Sequence, residues 1–190
     1  FAMDSPLQWT KQIASHFGGT RNGMVIAWPG HIRDKGSIRS QFHHVIDVVP
    51  TILEATDIKE PYMVNGVYQK PVEGISMVYS FNDEKAPSRR ETQYFEMMGN
   101  RAIYHDGWIA CTTPMTLPWT LTGKKASLRD YKWELYNVKE DFSQASNLSD
   151  KYPEKLRELQ DMFWLKQQNT MFFLLTTELR KEVLIRTNRV

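Results

Sequence analysis

An α/β segment followed by a small antiparallel sheet with one packed helix is the fold class this sequence predicts, and three observations carry it. A short apolar run, Met24 to Trp28 (MVIAW), closes on Pro29-Gly30. Apolar residues at helical spacing follow it, which is the local grammar of strand and covering helix. Beyond Gln93, short β-rich runs divided by turn residues give way to an amphipathic stretch that starts at Pro153.

Taken in order, Met24–Trp28 reads as an interior strand, because a nearly continuous apolar run suits a strand covered on both faces. In Ser40–Ala55, Phe42, Val45, Ile46, Val49, Ile52 and Leu53 recur at helical spacing, so one apolar face should cover that sheet, with Pro50 as a kink or restart. Tyr62–Met77 carries Gly66, Pro71 and Gly74 among polar residues and reads as an extended surface connection. Asn82–Arg90 is charged and almost free of apolar content, and it is the boundary candidate. Gln93–Met97 and Ala102–Ala110 read as paired antiparallel strands across a Gly99-Asn100 turn, with Asp106-Gly107 providing a second bend, and Trp133–Val138 adds a further strand. Pro153 opens a helix that places Leu156, Leu159 and Phe163 on one side.

At 190 residues and 41% hydrophobic content the chain can bury a sizeable core. Lys and Arg number 24 against 22 Asp and Glu, so no field of one sign recruits nucleic acid or an anionic membrane; neither is expected as a partner. The single Cys111 excludes an internal disulfide and a thiolate cluster, and reads as a free, buried thiol. No run reaches the roughly 18 apolar residues of a transmembrane helix. The opening residues, Phe1 to Pro6, read as mid-protein sequence rather than as a signal peptide, so an upstream part is expected.

Four blocks then resemble one family in order. Trp9-Thr10-Lys11-Gln12-Ile13-Ala14-Ser15-His16-Phe17-Gly18-Gly19-Thr20-Arg21 resembles the WTKxxASHxGGTR segment of bacterial arylsulfatases. Phe42–Ala55 with Glu73-Gly74-Ile75-Ser76, Gln93–Trp108 and Trp133–Leu148 are similar to later segments of those enzymes. The resemblance covers residues 1 to about 165. It implies the C-terminal portion of an alkaline-phosphatase-like sulfatase fold, and hydrolysis of sulfate monoesters. In the resembled enzymes a Cys or Ser in C/S-x-P-x-R becomes formylglycine, whose hydrate attacks sulfur. Calcium or another divalent cation, together with cationic side chains, holds the sulfate.

By that resemblance Lys11 is the residue expected to reach the sulfate, an ammonium being a compact donor for a tetrahedral anion. The spacing differs from many sulfatases, which have one residue fewer between Lys and Gly-Gly. His16, five residues on, would hydrogen-bond the sulfate or protonate the departing alkoxide, with a structural role as the alternative. Gly18-Gly19 is expected to permit close backbone approach rather than to cradle phosphate, since no P-loop pattern accompanies it. His44 and Asp47 are three apart, which invites a metal reading, but a capped amphipathic helix surface explains them better.

No nucleophile motif is present: Lys85-Ala86-Pro87-Ser88-Arg89 begins on Lys, and Pro114 lies one place too far from Cys111. The resembled aspartate and asparagine metal ligands are missing too, so no metal or cofactor is expected to bind this fragment, and the chain alone should be inactive. Its partners would be the missing N-terminal part of the catalytic domain and, in the intact enzyme, a sulfate ester substrate. The expected organisation is a remainder of the large α/β domain at 1–87, a small sheet subdomain at 88–165, and an atypical tail at 166–190. That tail departs from the family; a coding reading whose shifted frame yields EATKYNVFPLDNR makes an out-of-frame product the expectation, with a genuine divergent helix over LLTTELRKEVL as the alternative. A phosphate or phosphonate ester hydrolase of the same superfamily and a non-catalytic binding module are the rival readings. The resembled enzymes include periplasmic and secreted proteins, and the residues here name no compartment.

Overall fold

Short runs rich in aromatic and aliphatic residues, divided by turn residues, build the main sheet. The computed structural model describes residues 4–115 and 127–169. Four strands, β3 (Thr92–Met97), β4 (Asn100–His105), β5 (Trp108–Thr112) and β6 (Trp133–Asn137), lie in the order β3-β4-β5-β6. β4 and β5 are antiparallel with Ala102 opposite Cys111 and Tyr104 opposite Ile109, and β5 pairs with β6 so that Cys111 faces Glu134 and Ile109 faces Tyr136. The β4–β5 turn is Asp106-Gly107, as expected, with both φ positive (43° and 85°). The β3–β4 turn is Met98-Gly99 rather than Gly99-Asn100: these two carry the positive φ, 53° and 84°, that a two-residue hairpin turn needs.

Both faces of this sheet are covered, which is why β4 and β5 are buried almost throughout instead of alternating. On one face Ile103, Ala110 and Leu135 meet Leu159 and Phe163 of the helix α3 (Pro153–Asn169), with Leu156 and Met162 beside them. Phe163 stacks on Tyr94 at 4.7 Å and meets the edge of Trp133 at 5.4 Å. On the other face Ala102, Ile109, Cys111 and Tyr136 take Phe17 and Leu7 from the N-terminal segment. Arg101 is fully buried beneath Tyr131, Trp133 and Trp164 and donates from Nη2 to the Leu128 carbonyl at 2.7 Å.

The chain divides into two compact units. One combines the residues up to Asn22 with those from Tyr94 onward, and the other is Gly23–Gln93. The first 22 residues therefore group with the sheet, and the second unit ends a few residues past the charged stretch Asn82–Arg90. Of the tail, Lys166 to Asn169 continue α3, and Gln167 is buried with its amide donating to Glu96 at 3.2 Å. The rest of the tail expectation, including Met171, Phe172, Phe173, Leu174 and Leu175, lies outside the described residues.

In Gly23–Gln93 the expected interior strand is absent. Met24–Trp28 has no strand pairing, and Val25 is 95% exposed. An interior strand needs a partner on each side, and the strands among the described residues pair elsewhere. The predicted helix forms as a 3-10 turn, Val45–Asp47, leading into α2 (Val48–Ala55). Pro50 causes no break there, because it lies in the first turn of α2, where its missing N–H costs nothing. The apolar face does not cover a sheet: Val45, Val49 and Ile52 are exposed, while the buried side carries Asp47 and Thr51. The stretch expected as a plain connection contains a hairpin, β1 (Met63–Val64) and β2 (Val67–Tyr68), turned by Asn65-Gly66 with φ of 50° and 80°.

The organising group of this unit is Asp47. Its carboxylate takes Arg90 through Nε at 2.9 Å and also through Nη2, the His44 amide at 2.9 Å and the Ile75 amide at 2.7 Å. Burial would raise the Asp47 carboxyl, but these donors outweigh it and hold the group below its usual range. His44 and Asp47 thus form a capping box, as the capped reading has it, but on the buried side rather than at the surface. Gly74 fits against this corner: a Cβ there would stand 2.1 Å from the Ile46 carbonyl oxygen.

Candidate functional site

The N-terminal segment is folded by close backbone approaches. Gly18 donates its amide to the Gln8 carbonyl at 2.9 Å, and Gly19 donates to the His16 carbonyl at 3.0 Å. A Cβ on Gly18 would lie 2.2 Å from the Trp9 oxygen, and one on Gly19 would lie 2.0 Å from the Ile13 oxygen. The glycine pair serves close approach, as the sequence indicated. It opens a single helical turn, α1 (Phe17–Thr20), and folds residues 8–13 back over it.

Lys11 sits on the exposed tip of that fold-back, between Trp9 and Gln12, whose φ angles of 65° and 75° lie in the left-handed region. Backbone in this region is costly for bulky residues, so the turn is held by its surroundings: the Ile13 amide bonds the Thr10 carbonyl, and the Thr10 hydroxyl donates to Asp4 at 3.0 Å. Lys11 is exposed, and no ion pair among the described residues holds its ammonium.

His16 lies on the opposite side of the same segment. It is 1% exposed, and both ring nitrogens are engaged, Nδ1 with the Ser15 hydroxyl at 2.9 Å and Nε2 with Glu134 Oε2 at 3.1 Å. The structure therefore separates the two predicted residues in character: Lys11 faces solvent and His16 faces the sheet. Trp9 packs by the imidazole at 6.1 Å between ring centres, and Tyr136 approaches it edge-on at 6.1 Å.

Around His16 stand residues that sequence reasoning did not connect with it. Glu134 on β6 accepts from the Thr113 hydroxyl at 2.7 Å and the Tyr136 hydroxyl at 3.2 Å. Burial works against its charge, yet the hydrogen bonds from His16 and Thr113 and the nearby imidazole keep its carboxyl below the ordinary value. Cys111 Sγ is 3.7 Å from His16 Nε2, and burial, then the Glu134 charge, push its thiol well up. Gln144 closes the group: its side-chain carbonyl accepts from the Phe17 amide at 2.8 Å, and its backbone carbonyl accepts from Gln8.

A calcium ion does not fit these residues. Among the described residues the converging group of potential ligands is His16, Cys111 and Glu134, one nitrogen, one sulfur and one carboxylate. Calcium takes six to eight oxygens.

Comparison with known proteins gives consistent relatives. Residues 2–58 match the Sulfatase family model. An uncharacterized sulfatase of Schizosaccharomyces pombe is 28% identical over 151 residues, which cover 78% of this chain and 25% of that protein. Among solved structures, a Bacteroides thetaiotaomicron protein described with that organism's metabolism of multiple glycosaminoglycans aligns at a TM-score of 0.45 with 19% identity, over 64% of this chain and 24% of its own. Another, solved with its substrate D-glucosamine-2-N,6-O-disulfate, aligns at 0.43 with 16% identity, over 64% and 23%. The chain thus spans about a quarter of the length of these relatives.

Proposed function

From a chain of sulfatase-family sequence, we propose that these residues serve sulfate monoester hydrolysis of the arylsulfatase type within a longer enzyme of alkaline-phosphatase-like fold, and that Lys11 carries positive charge to the sulfuryl oxygens. The observation that supports this most is the setting of Lys11: it lies inside the stretch that matches the Sulfatase model, on an exposed turn flanked by positive-φ Trp9 and Gln12, with its ammonium in no ion pair among the described residues. As the ester bond to sulfur breaks, negative charge grows on the leaving oxygen and on the sulfuryl oxygens. A fixed ammonium lowers the energy of that state more than it lowers the ground state.

His16 takes the structural alternative. With Nδ1 on Ser15 and Nε2 on Glu134, it holds the Lys11 segment to β6 instead of offering a proton to the alkoxide. The nucleophile belongs to residues outside this sequence, since none of the 190 residues begins a C/S-x-P-x-R motif. In the longer enzyme formylglycine would supply the nucleophile, and a divalent cation would help to hold the sulfate.

Two measurements test the reading. The purified chain should leave a chromogenic aryl sulfate unhydrolysed with calcium present, and turnover that copurifies with it would overturn the assignment of the nucleophile. In the longer enzyme Lys11→Ala should lower kcat/KM by about a hundredfold or more. A rate near that of the parent would return Lys11 to an ordinary solvated lysine.

A further inference from the structure

Cys111, Glu134 and His16 are 95 and 118 residues apart in pairing with the imidazole, yet their ligand atoms all lie within 4.8 Å of one another. The register of β5 and β6 sets Cys111 directly opposite Glu134 on one face of the sheet, and the N-terminal segment lowers His16 onto them. We propose that His16 Nε2, Cys111 Sγ and a Glu134 carboxylate oxygen form a binding site for a borderline divalent transition ion, zinc foremost, which ties the Lys11 segment to the sheet.

The spacing suits an ion. With zinc about 2.0–2.1 Å from nitrogen or oxygen and about 2.3 Å from sulfur at tetrahedral angles, the donors should stand roughly 3.3 Å (N to O) and 3.5 Å (N to S) apart. The observed separations are 3.1 Å for Nε2 to Oε2 and 3.7 Å for Nε2 to Sγ. Hydrogen bonding alone accounts for the group less completely. One Nε2–H cannot serve both a carboxylate and a sulfur well, and the Gln144 side-chain amide reaches Cys111 Sγ only at 4.0 Å. A cation at their centre gives all three groups a common partner, with the thiol proton released to solvent on binding.

The surroundings also match those of a metal centre. Ser15 Oγ engages Nδ1 and so orients Nε2 toward the group, as partners of ligating imidazoles do. The hydroxyls of Thr113 and Tyr136 fix the Glu134 carboxylate. Nitrogen, sulfur and one carboxylate are the donors of zinc and cobalt rather than of calcium or magnesium. The site goes beyond the hydrolytic reading and needs no turnover to be tested.

The experiment is a titration of the chelator-treated 190-residue chain with Co2+ and with Zn2+. Because Cys111 is the single cysteine, a thiolate-to-cobalt charge-transfer band reports this site unambiguously. The expected result is one Co2+ per chain with that band and the intense visible absorption of tetrahedral cobalt, competed away by Zn2+ and untouched by Ca2+ or Mg2+. Cys111→Ser should abolish the band, and Glu134→Gln should weaken binding at least tenfold while circular dichroism stays that of the parent. If the parent chain, folded, binds no stoichiometric cobalt, or binds it without a thiolate band, the proposal is wrong and the three residues are a hydrogen-bonded brace. That parent measurement decides the matter even if a variant fails to fold.

Discussion

Removing the Asp47 carboxylate should unfold Gly23–Gln93 locally. This unit has little else to hold it: its buried apolar side chains are Met77 and Phe81, and its other buried groups are Asp47, Thr51, Ser80 and Arg90. Asp47→Ala leaves Arg90 buried without its counter-charge and strips the acceptor from the amides of His44 and Ile75. Deleting one partner of a buried pair costs about 3–5 kcal/mol, most of it the penalty on the charge left behind. That approaches the whole stability of a unit of this size, which at 0.05–0.15 kcal/mol per residue is on the order of 4–10 kcal/mol. Hydrogen exchange followed by mass spectrometry reads it directly, since the Ile75 amide is protected by the bond to Asp47 Oδ1. Acid should act in the same direction. The folded Asp47 carboxyl lies below its usual value, so its contribution is present above about pH 4 and is lost as pH falls through the folded value. Protection at Ile75 that survives Asp47→Ala, with under about 1 kcal/mol lost in urea, would refute the reasoning.

Gly19→Ala should lower the midpoint of thermal unfolding for the unit built on the sheet, because its Cβ would stand 2.0 Å from the Ile13 backbone oxygen, which cannot move without undoing the turn that carries Lys11; an unchanged melting temperature would contradict this. Phe163→Ala should cost about 3–5 kcal/mol in urea denaturation, whereas Val49→Lys, on the exposed stripe of α2, should stay within about 0.5 kcal/mol. Equal effects for the two would mean that the assigned faces of α3 and α2 are wrong.

Legibility followed the range of the interactions. The strands between Gln93 and Asn137 and the helix at Pro153 are legible because short apolar runs, the Asp106-Gly107 turn and a proline at the helix start are local signals. Met24–Trp28 misled because an apolar run reports only a wish for burial; whether a strand forms depends on partners that the run does not contain. The periodicity of Ser40–Ala55 indicated a helix correctly but not which side is buried. Asp47 and its distant partner Arg90 overrode the apolar stripe, and a pair 43 residues apart leaves no periodic trace. Asn65-Gly66 is itself a local hairpin signal, and it turns β1 into β2 within the stretch whose polar composition suggests only a connection.

The site divides along the same line. Lys11 enters the proposed site through its motif alone, a short segment with its own turn, here Trp9 to Gln12. His16 was accessible as a residue but not as a role. Its chemistry is decided by Glu134 and Cys111, and these reach it only because β5 and β6 align Cys111 with Glu134 while Gly18 and Gly19 let the N-terminal segment close on that face. Strand parity places Ile109 with Cys111 and Glu134 with Tyr136, and the register of β5 on β6 puts both pairs on a common face. Parity could not have said that an imidazole covers them, since the covering segment carries no periodic pattern. Motif spacing therefore identifies groups that meet solvent or substrate, whereas groups that meet each other across the fold become visible only once the sheet register is known.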